Sequence, residues 1–570
     1  MTVKRSFYRK KRYLIPGILI LLIGILILWY ALATSISPPV PKNLNSLDYV
    51  VKKQDDSLYT CQQNWLKQSR SGLWELYLEG SPFERGVING KLTKQLIYEQ
   101  EEAFISQIRK MIPSNFYLHF LKYFIYWFNR DLDRYLMKEY KEEIYGISFS
   151  SSDVFNFIGT PYQRMLNYHS AHDIGHALQD LMLVGCTSFG VWNEYSNDSS
   201  LLIGRNFDFY MGDDFAKNKI VCFTRPDNGY AFMMVTWGGM IGTVSGMNEK
   251  GLTVTINAAQ SEIPLSARTP ISILAREILQ YAATIEDAYH ISLDRETFVS
   301  ESLLIGSGDE NRAAVIEKAP FGLMLVEPSN NYLICTNHFQ SDTFKDDPLN
   351  QENIRDNASL YRSKRVVQQI TMRRPMDVAD AATLLRDQLG LNDKEIGLGN
   401  EKAINQLIAH HSIIFKPHEK KVWISTSPYQ LGEYVCYDLT KIFNTFAPLQ
   451  QQVEIIEADQ TIPADEFLQT AEYQSFLRFR EMRLILLNVL KEKEVKPLDQ
   501  VFFDEFHTSN PNFYEVWSLS GDYFRKAENP KKAIRLFRKA LTMEIPRWSE
   551  KEKIIRNMTD CKDQINDVDE

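Results

Sequence analysis

The first residue in this sequence that could carry chemistry is a cysteine at the start of an apolar run. Cys186 follows Gly185 within residues 183–192, which predict a buried strand. A lone cysteine in such a strand is more often a small core side chain than a nucleophile. A turn-forming stretch at 193–200 leads into a second apolar run at 201–209, so the two runs predict a hairpin.

The second strand of this hairpin carries two charged residues, Arg205 and Asp208. A cation beside Cys186 would lower the pKa of its thiol, and a nearby carboxylate could hold a protonated amine. An ordinary Arg–Asp surface pair is the alternative. Residues three apart in a flat strand face opposite sides, so both can reach the cysteine only if the strand bends, bulges or ends between them.

Other motifs accompany this hairpin in a fixed order along the chain. They are Leu78-Glu-Gly-Ser-Pro-Phe-Glu-Arg-Gly86, Gly185-Cys-Thr-Ser-Phe189, Gly204-Arg-Asn-Phe-Asp208, Gly246-Met-Asn-Glu-Lys-Gly-Leu252 leading to Asn257, Cys335-Thr-Asn-His-Phe339 and Ser359-Leu-Tyr-Arg362. Over about residues 70 to 430 the sequence resembles the acyl-CoA:6-aminopenicillanate acyltransferase family. That autoproteolytic family is related to the choloylglycine hydrolases. The shared order makes the resemblance more specific than any single motif.

The resemblance implies an α+β fold of the N-terminal-nucleophile type, a four-layer αββα sandwich. It also implies self-cleavage: the thiol of Cys186 would attack the carbonyl of Gly185, and the resulting ester would hydrolyse. The new α-amine has a reference pKa of about 7.7–8.0, which suits a general base at working pH. The amine would take the proton of its own thiol, and the thiolate would form an acyl-enzyme with an amide substrate.

The resemblance further implies a site of one nucleophile and five supporting residues: Cys186, Arg205, Asp208, Asn257, Asn337 and Arg362. Arg205 would lie beside the nucleophile and Asp208 would orient the α-amine. The two asparagines would donate hydrogen bonds to the developing oxyanion, and Arg362, or alternatively Arg365, would support the site electrostatically. Without the resemblance, the asparagines would be interpreted as turn and loop-capping residues. Neither a cofactor nor a metal is implied.

Three histidines just before the cleavage site have the spacing of one helical face. His169, His172 and His176 follow each other at i, i+3 and i+7 within a helix predicted over residues 161–182. The spacing is compatible with a metal, but the HExxH pattern of metallohydrolases is absent from it. A helix-packing or pocket role is therefore favoured over a zinc site. His411, before a predicted strand, could belong to the core or to the site.

The N-terminus predicts a membrane segment. An uncharged apolar run at 13–33 is long enough to cross a hydrocarbon layer of about 30 Å. Six basic residues precede it: Lys4, Arg5, Arg9, Lys10, Lys11 and Arg12. They would hold the N-terminus in the cytoplasm and leave the catalytic part extracytoplasmic, in a bacterial periplasm. A cleaved signal peptide is the alternative, because Ala31-Leu-Ala33 resembles a cleavage site.

The rest of the chain divides by composition. We predict a basic tail at 1–12, the membrane helix at 13–33, a linker at 34–58, an N-terminal part or short chain at 59–185, the nucleophile-bearing core at 186–455 and a helical region at 460–570. In that last region Trp517, Gly521, Phe524, Ala533, Phe537 and Ala540 fall near the spacing of a tetratricopeptide (TPR) repeat. A generic helical cap on the enzyme is the alternative to a TPR-like protein-binding region.

Bulk composition narrows the function classes. The chain of 570 residues has a net charge of −8 without a basic patch beyond its N-terminus, which argues against a nucleic-acid partner. Its six scattered cysteines do not suggest a disulfide scaffold. The family resemblance implies a hydrolase of linear amide bonds in small N-acyl compounds. Acyl transfer, ester or phospholipid cleavage, and an inert membrane-anchored scaffold are the alternatives.

Overall fold

Two β-sheets lie face to face in the middle of the chain, and helices cover both outer surfaces. We describe them in a computed structural model that covers residues 2–112, 114–171, 173, 183–262, 264, 266–444 and 454–569. The strands of these residues are β1 Lys52–Lys53, β2 Leu58–Cys61, β3 Asn64–Gln68, β4 Trp74–Gly80, β5 Leu183–Val184, β6 Thr187–Val191, β7 Leu202–Phe207, β8 Phe209–Tyr210, β9 Ile220–Pro226, β10 Phe232–Thr236, β11 Ser245–Asn248, β12 Leu252–Ala258, β13 Glu301–Ser307, β14 Arg312–Ala319, β15 Gly322–Val326, β16 Tyr332–Cys335, β17 His411–Lys416, β18 Lys421–Ser425 and β19 Tyr434–Asp438.

The larger sheet has the order β1-β2-β3-β4-β9-β10-β11-β12-β13-β14-β15, and the smaller has β16-β6-β7-β17-β18-β19. Strands β5 and β8 form a separate short pair. Apolar side chains from the inner faces of both sheets, including Ile203, Val235, Leu304 and Ile413, form one fully buried core between them. The alternation of inward and outward side chains in each strand thus fixes the two central layers.

The helices of the described residues are α1 Thr2–Ala33, α2 Pro82–Leu92, α3 Lys94–Met111, α4 Asn115–Phe128, α5 Lys138–Ser148, α6 Pro161–His169, α7 Asp213–Lys217, α8 Ile271–Tyr281, α9 Ile285–Asp294, α10 Pro348–Asp356, α11 Ser359–Arg373, α12 Val378–Leu385, α13 Leu439–Asn444, α14 Ala471–Lys491, α15 Gln500–Ser509, α16 Tyr514–Lys526, α17 Pro530–Ala540 and α18 Trp548–Asp569. Helices α2, α5 and α8 share a core with the larger sheet, and α11 and α12 share another with the smaller sheet. The layer order is therefore helix, sheet, sheet, helix.

The motif at 78–86 has a structural explanation in the outer helical layer. Gly86 lies where α2 crosses α5, and a Cβ atom there would overlap the backbone of Glu143. Arg85, the preceding residue, donates to the Glu143 carboxylate at 2.6 Å, and both side chains are fully buried. The glycine permits the close crossing and the ion pair fixes it.

The C-terminal region from α14 to α18 is helical and has its own aromatic core. Gly521 in α16 packs against the ring of Phe537 in α17, at a distance that leaves no space for a side chain. That close approach agrees with the small-residue pattern of the sequence, while the assignment as a TPR-like region stays a prediction. The mixed α/β body followed by a helical region is as expected.

This helical region contacts one long connection of the mixed α/β body, residues 386–410, which we call the 386–410 loop. Asn510 accepts from the backbone N–H of Leu398 at 3.0 Å and donates to its carbonyl at 2.9 Å. Glu544 binds both Lys394 and Lys402 at 2.7 Å. The loop therefore depends on contacts with residues more than 100 positions away in the chain.

The N-terminal helix α1 contains the segment Ile15–Ala33, which has a mean hydropathy of 2.6 and is not buried in the protein. By length and composition it could cross a membrane or serve as a signal sequence. Its C-terminal end contacts α4, because the rings of Trp29 and Trp127 lie 5.3 Å apart and the Tyr30 hydroxyl donates to the carbonyl of Tyr123.

Candidate active site

Cys186 lies at a break between two strand pairs. Val184 in β5 pairs with Phe209 in β8, whereas Thr187 in β6 pairs with Asn206 in β7. The continuous strand predicted over residues 183–192 is therefore wrong at Gly185 and Cys186, which leave the ladder. The physical reason is that β7 ends at the same level, so the pairing partner of this segment changes.

Arg205 reaches the cysteine from the middle of β7. Its Nη2 atom lies 3.7 Å from the Cys186 sulfur. The guanidinium is held by the carbonyls of Val244 and Ile256 and by the Ser245 hydroxyl, and the whole side chain is buried. Three acceptors thus fix a cation beside the thiol.

Asp208 follows β7 directly, so the strand ends between the two charged residues, as the geometric argument from the sequence requires. Its backbone carbonyl accepts from the N–H of Gly185 at 3.0 Å. One carboxylate oxygen accepts from Gln406 at 3.4 Å, and the other has no hydrogen-bond partner among the described residues. Burial raises the pKa of Asp208 to about 7, against the lowering effect of Arg362 and Arg205.

The thiol itself is not activated in the uncleaved chain. Burial raises the pKa of Cys186 to about 11, and the nearby Arg205 opposes that rise only in part. About one thiol in ten thousand would be ionised at pH 7. The cation alone is therefore insufficient, and efficient nucleophilic attack needs an added base close to the sulfur.

The two asparagines lie on neighbouring elements of the same region, but their amides are occupied. Asn257 in β12 accepts from Ser188 at 2.8 Å and donates to the carbonyl of Cys335 at 3.0 Å. Asn337, just after β16, donates to the carbonyl of Ala258 at 3.0 Å. Both amide groups bind backbone carbonyls in the uncleaved chain, so neither contacts the carbonyl of Gly185.

Of the two arginines weighed on α11, Arg362 faces this region. It donates to the Asn337 side chain at 2.6 Å and to the carbonyl of Glu401 at 2.9 Å, and its charge acts on both Asp208 and Cys186. Arg365 instead forms an ion pair with Asp387 at 2.7 Å. The structure thus brings Cys186, Arg205, Asp208 and Arg362 together and places Arg365 elsewhere.

Two residues without a motif of their own also join the site. Gln406, in the 386–410 loop, donates to the carbonyl of Gly185 at 2.8 Å. Ser245, in β11, links Arg205 to His411, whose Nε2 atom lies 2.9 Å from the serine hydroxyl. Burial holds the pKa of His411 well below its usual value, so this histidine is neutral. Because glutamine and serine are common in loops and strands, sequence pattern alone could not single out either one.

The histidine cluster is described only at its first member. Both ring nitrogens of His169 are engaged, one at 2.8 Å from the carbonyl of Met165 and the other accepting from the N–H of Ile241 at 3.0 Å. His172 and His176 lie outside the described residues. In the part of the chain that the structure covers, no group of three His, Cys, Asp or Glu side chains could hold a metal ion.

Apolar cavities lie near the site without reaching the thiol. One cavity of about 190 Å³ lies between α3 and α4. A smaller one of about 40 Å³ is lined by Phe209, which follows Asp208 in the chain, and by Val244, whose carbonyl accepts from Arg205. Phe104 and Tyr168 line both. Cys186, which is 1% exposed, lines neither.

Comparison with known proteins agrees with the motifs. Residues 192–428 match the family model described as acyl-coenzyme A:6-aminopenicillanic acid acyl-transferase, which confirms the family resemblance over that range, whereas Gly185 and Cys186 lie before it. An uncharacterized protein of Archaeoglobus fulgidus is 24% identical over 281 residues, which cover 45% of this chain and 46% of that protein. An N-acylethanolamine-hydrolyzing acid amidase of Caenorhabditis elegans is 23% identical over 237 residues, covering 40% and 62%. The chain thus spans about half the length of the curated relatives it matches.

Solved structures of low similarity include two amide hydrolases. The Caenorhabditis elegans ortholog of the N-acylethanolamine-hydrolyzing acid amidase has a TM-score of 0.30 at 18% identity, covering 41% of this chain and 93% of that one. A mutant of the conjugated bile acid hydrolase of Clostridium perfringens has a TM-score of 0.31 at 13% identity, with 45% and 93% covered.

Proposed function

We propose that this chain, whose residues 192–428 match the acyltransferase family model, is a self-cleaving cysteine hydrolase of amide bonds in N-acyl compounds. The observation that carries the proposal is the position of Cys186. It follows a glycine at a break in the sheet, with the Arg205 guanidinium 3.7 Å from its sulfur and the Asp208 carboxylate beside it. A buried cation and a buried carboxylate around one thiol cost stability, which a purely structural cysteine would not require.

Cleavage between Gly185 and Cys186 would supply the missing base. The new α-amine would lie within reach of its own sulfur and, with an ordinary pKa of about 7.7–8.0, could take the thiol proton near neutral pH. The carboxylate oxygen of Asp208 that has no hydrogen-bond partner in the described residues could accept from the resulting ammonium group. Arg205 would stabilise the thiolate.

The thiolate would then attack the amide carbonyl of the substrate, and the C–N bond would break as the leaving amine takes the proton held by the α-ammonium group. Water would hydrolyse the resulting thioester acyl-enzyme to the free acid and the thiol. Asn257 and Asn337 are the proposed oxyanion donors. Each amide has two N–H groups and donates one of them to a backbone carbonyl, so the other is the proposed donor to the substrate oxygen. Arg362 would hold Asn337 through its 2.6 Å hydrogen bond.

The acyl group of the substrate is the part that the apolar cavities suit. The two cavities share Phe104 and Tyr168, and the smaller one is also lined by Phe209, which follows Asp208 in the chain, so movement of residues 183–185 after cleavage would connect them with the thiol. We therefore propose an N-acyl compound with a long apolar chain. An amine in place of water would make the same site an acyltransferase, and an ester substrate would make it an esterase or phospholipase.

We further propose that α1 anchors the protein in a membrane, with the catalytic body outside the cytoplasm. Helix α4 supports this location. Its exposed side chains include Phe116 at 85% and Phe120 at 58%, and its C-terminal half contacts the outer end of α1 through Tyr123 and Trp127. Aromatic rings at that level would lie in the membrane interface.

The first experiment is mass spectrometry of the purified wild-type protein. We expect two chains that end at Gly185 and begin at Cys186, whereas the C186A variant stays whole. Cys222→Ala, which removes another buried strand cysteine, is the matched control and should cleave normally. An intact wild-type chain would favour an inert scaffold. Intact C186A would also show whether residues before 34 remain, which separates an anchor from a removed signal peptide.

Activity is tested next on the cleaved protein with N-acyl amides of increasing chain length. We expect release of the amine product to rise with acyl length, because the cavities are apolar. Added amine acceptors that divert the acyl group from water would identify an acyltransferase. Activity that does not depend on acyl length would contradict the assignment of the cavities.

A further inference from the structure

The side-chain amide of Gln406 lies between the two groups that self-cleavage would use. Its Nε2 atom donates to the carbonyl oxygen of Gly185 at 2.8 Å and lies 3.4 Å from the Asp208 carboxylate. We infer that Gln406 is the oxyanion donor of the self-cleavage reaction, a role distinct from the oxyanion donors for the substrate. This inference rests on the proposed self-cleavage and deepens it.

The buried amide of Gln406 makes its shorter hydrogen bond to the carbonyl of Gly185. The residue is 2% exposed, so its amide does not exchange freely with water. In the described part of the chain, no other side chain donates to the Gly185 carbonyl, and the amides of Asn257 and Asn337 donate to the carbonyls of Cys335 and Ala258. A hydrogen bond of this kind strengthens when the carbonyl oxygen becomes an oxyanion.

The glycine before the cysteine is explained by the same contact. A Cβ atom at position 185 would lie 2.5 Å from the amide nitrogen of Gln406 and 2.8 Å from its oxygen. Any larger residue there would displace the glutamine side chain from the carbonyl. Glycine therefore lets the donor approach the bond that is to be cut.

The reaction balances without an added reagent other than water. The Asp208 carboxylate beside the sulfur takes the thiol proton as the Cys186 sulfur bonds to the carbonyl carbon of Gly185, and the carbonyl oxygen becomes an oxyanion held by Gln406. The carbon–nitrogen bond then breaks, and the leaving amine takes the proton that the thiol gave up. Water attacks the thioester, so that Gly185 gains a carboxylate and Cys186 regains its thiol.

The test is the rate of self-cleavage in newly made full-length protein. The Q406A variant loses the donor, and we expect cleavage slower by about 10²–10³-fold, as for the loss of one oxyanion donor elsewhere. Gln280→Ala is the control, because Gln280 is an equally buried amide on α8 that donates to Glu139 and to the carbonyl of Asn228, and its cleavage rate should match the wild type. The isosteric Q406E variant keeps the packing but replaces the donor by a carboxylate, so it should cleave as slowly as Q406A.

A second measurement shows whether the slow step lies before or after the thioester. Hydroxylamine cuts an accumulated thioester, so it should leave the slow cleavage of Q406A and Q406E unchanged, since the block lies before the thioester. Rapid hydroxylamine cleavage of the variants, or a wild-type rate in a folded Q406E, would overturn the inference. Failure of the wild type to cleave would instead defeat the proposed self-cleavage itself.

Discussion

The hairpin around Cys186 and the 386–410 loop contribute to the same site, but they are specified in different ways. The hairpin is local: its two strands are separated by one short turn, and Arg205 faces Ser188 across the ladder. The loop acquires its shape from the C-terminal helices, through contacts such as that of Leu398 with Asn510. Residues of the hairpin can therefore be recognised in the sequence, whereas those of the loop depend on tertiary structure.

The largest expected effect concerns Cys186, the proposed nucleophile of the hairpin. Replacement of Cys186 by serine should lower amide hydrolysis by at least about 10⁴-fold, because a serine hydroxyl is a far weaker nucleophile without a dedicated base. The measurement is turnover of the best N-acyl amide by purified protein. Cys222→Ser should retain wild-type turnover, and retention of activity by C186S would remove the basis of the proposal.

Asp208 should lower the stability of the fold, because its proposed function requires an ionised carboxylate in a buried position. In the uncleaved C186A background, adding Asp208→Asn should raise the free energy of unfolding at pH 8 by about 2–4 kcal/mol, the cost of ionising a carboxyl whose pKa is raised to about 7. Because the pKa of Asp208 is higher in the folded protein than in the unfolded chain, the free energy of unfolding of the Asp208 protein falls as the pH rises from the unfolded pKa toward 7. The gain should therefore be smaller at pH 5.

Chemical denaturation at the two pH values measures this effect. In the cleavable protein the same Asp208→Asn change should lower turnover by about 10²-fold or more, since the ammonium loses its acceptor. Asp387→Asn is the contrast, because it removes the ion pair with Arg365 and should lower stability at both pH values. A loss of stability in Asp208→Asn at pH 8 would contradict the account.

The two arginines of α11 should differ in effect: replacing Arg362 should lower turnover, and replacing Arg365 should lower stability. Arg362→Gln should lower turnover by about 10²-fold, because Asn337 loses the donor that fixes it. Arg365→Gln should instead lower the free energy of unfolding by about 2–4 kcal/mol, through the broken pair with Asp387, with turnover per folded molecule unchanged. Kinetics and thermal unfolding of both variants would show whether the assignments must be exchanged.

The limits of the sequence can be seen at particular residues. The family resemblance, the hairpin and the break between Arg205 and Asp208 could be predicted, since they depend on local pattern and on strand geometry. The departure of Cys186 from the ladder could not, because it depends on where the partner strand ends. Gln406 was not predicted either, because its position depends on a loop whose conformation is set by residues beyond 500.

The smallest expected effect concerns the grip of the helical region on that loop. Asn510→Ala removes one acceptor and one donor for the backbone of Leu398, and we expect a loss of about 1–2 kcal/mol in the free energy of unfolding. Because the 386–410 loop carries Gln406, self-cleavage should also slow by a few-fold. Asn557→Ala is the control, since Asn557 donates to Asp522 within the helical region. Equal cleavage rates in the two variants would mean that the loop holds Gln406 in place without the helices.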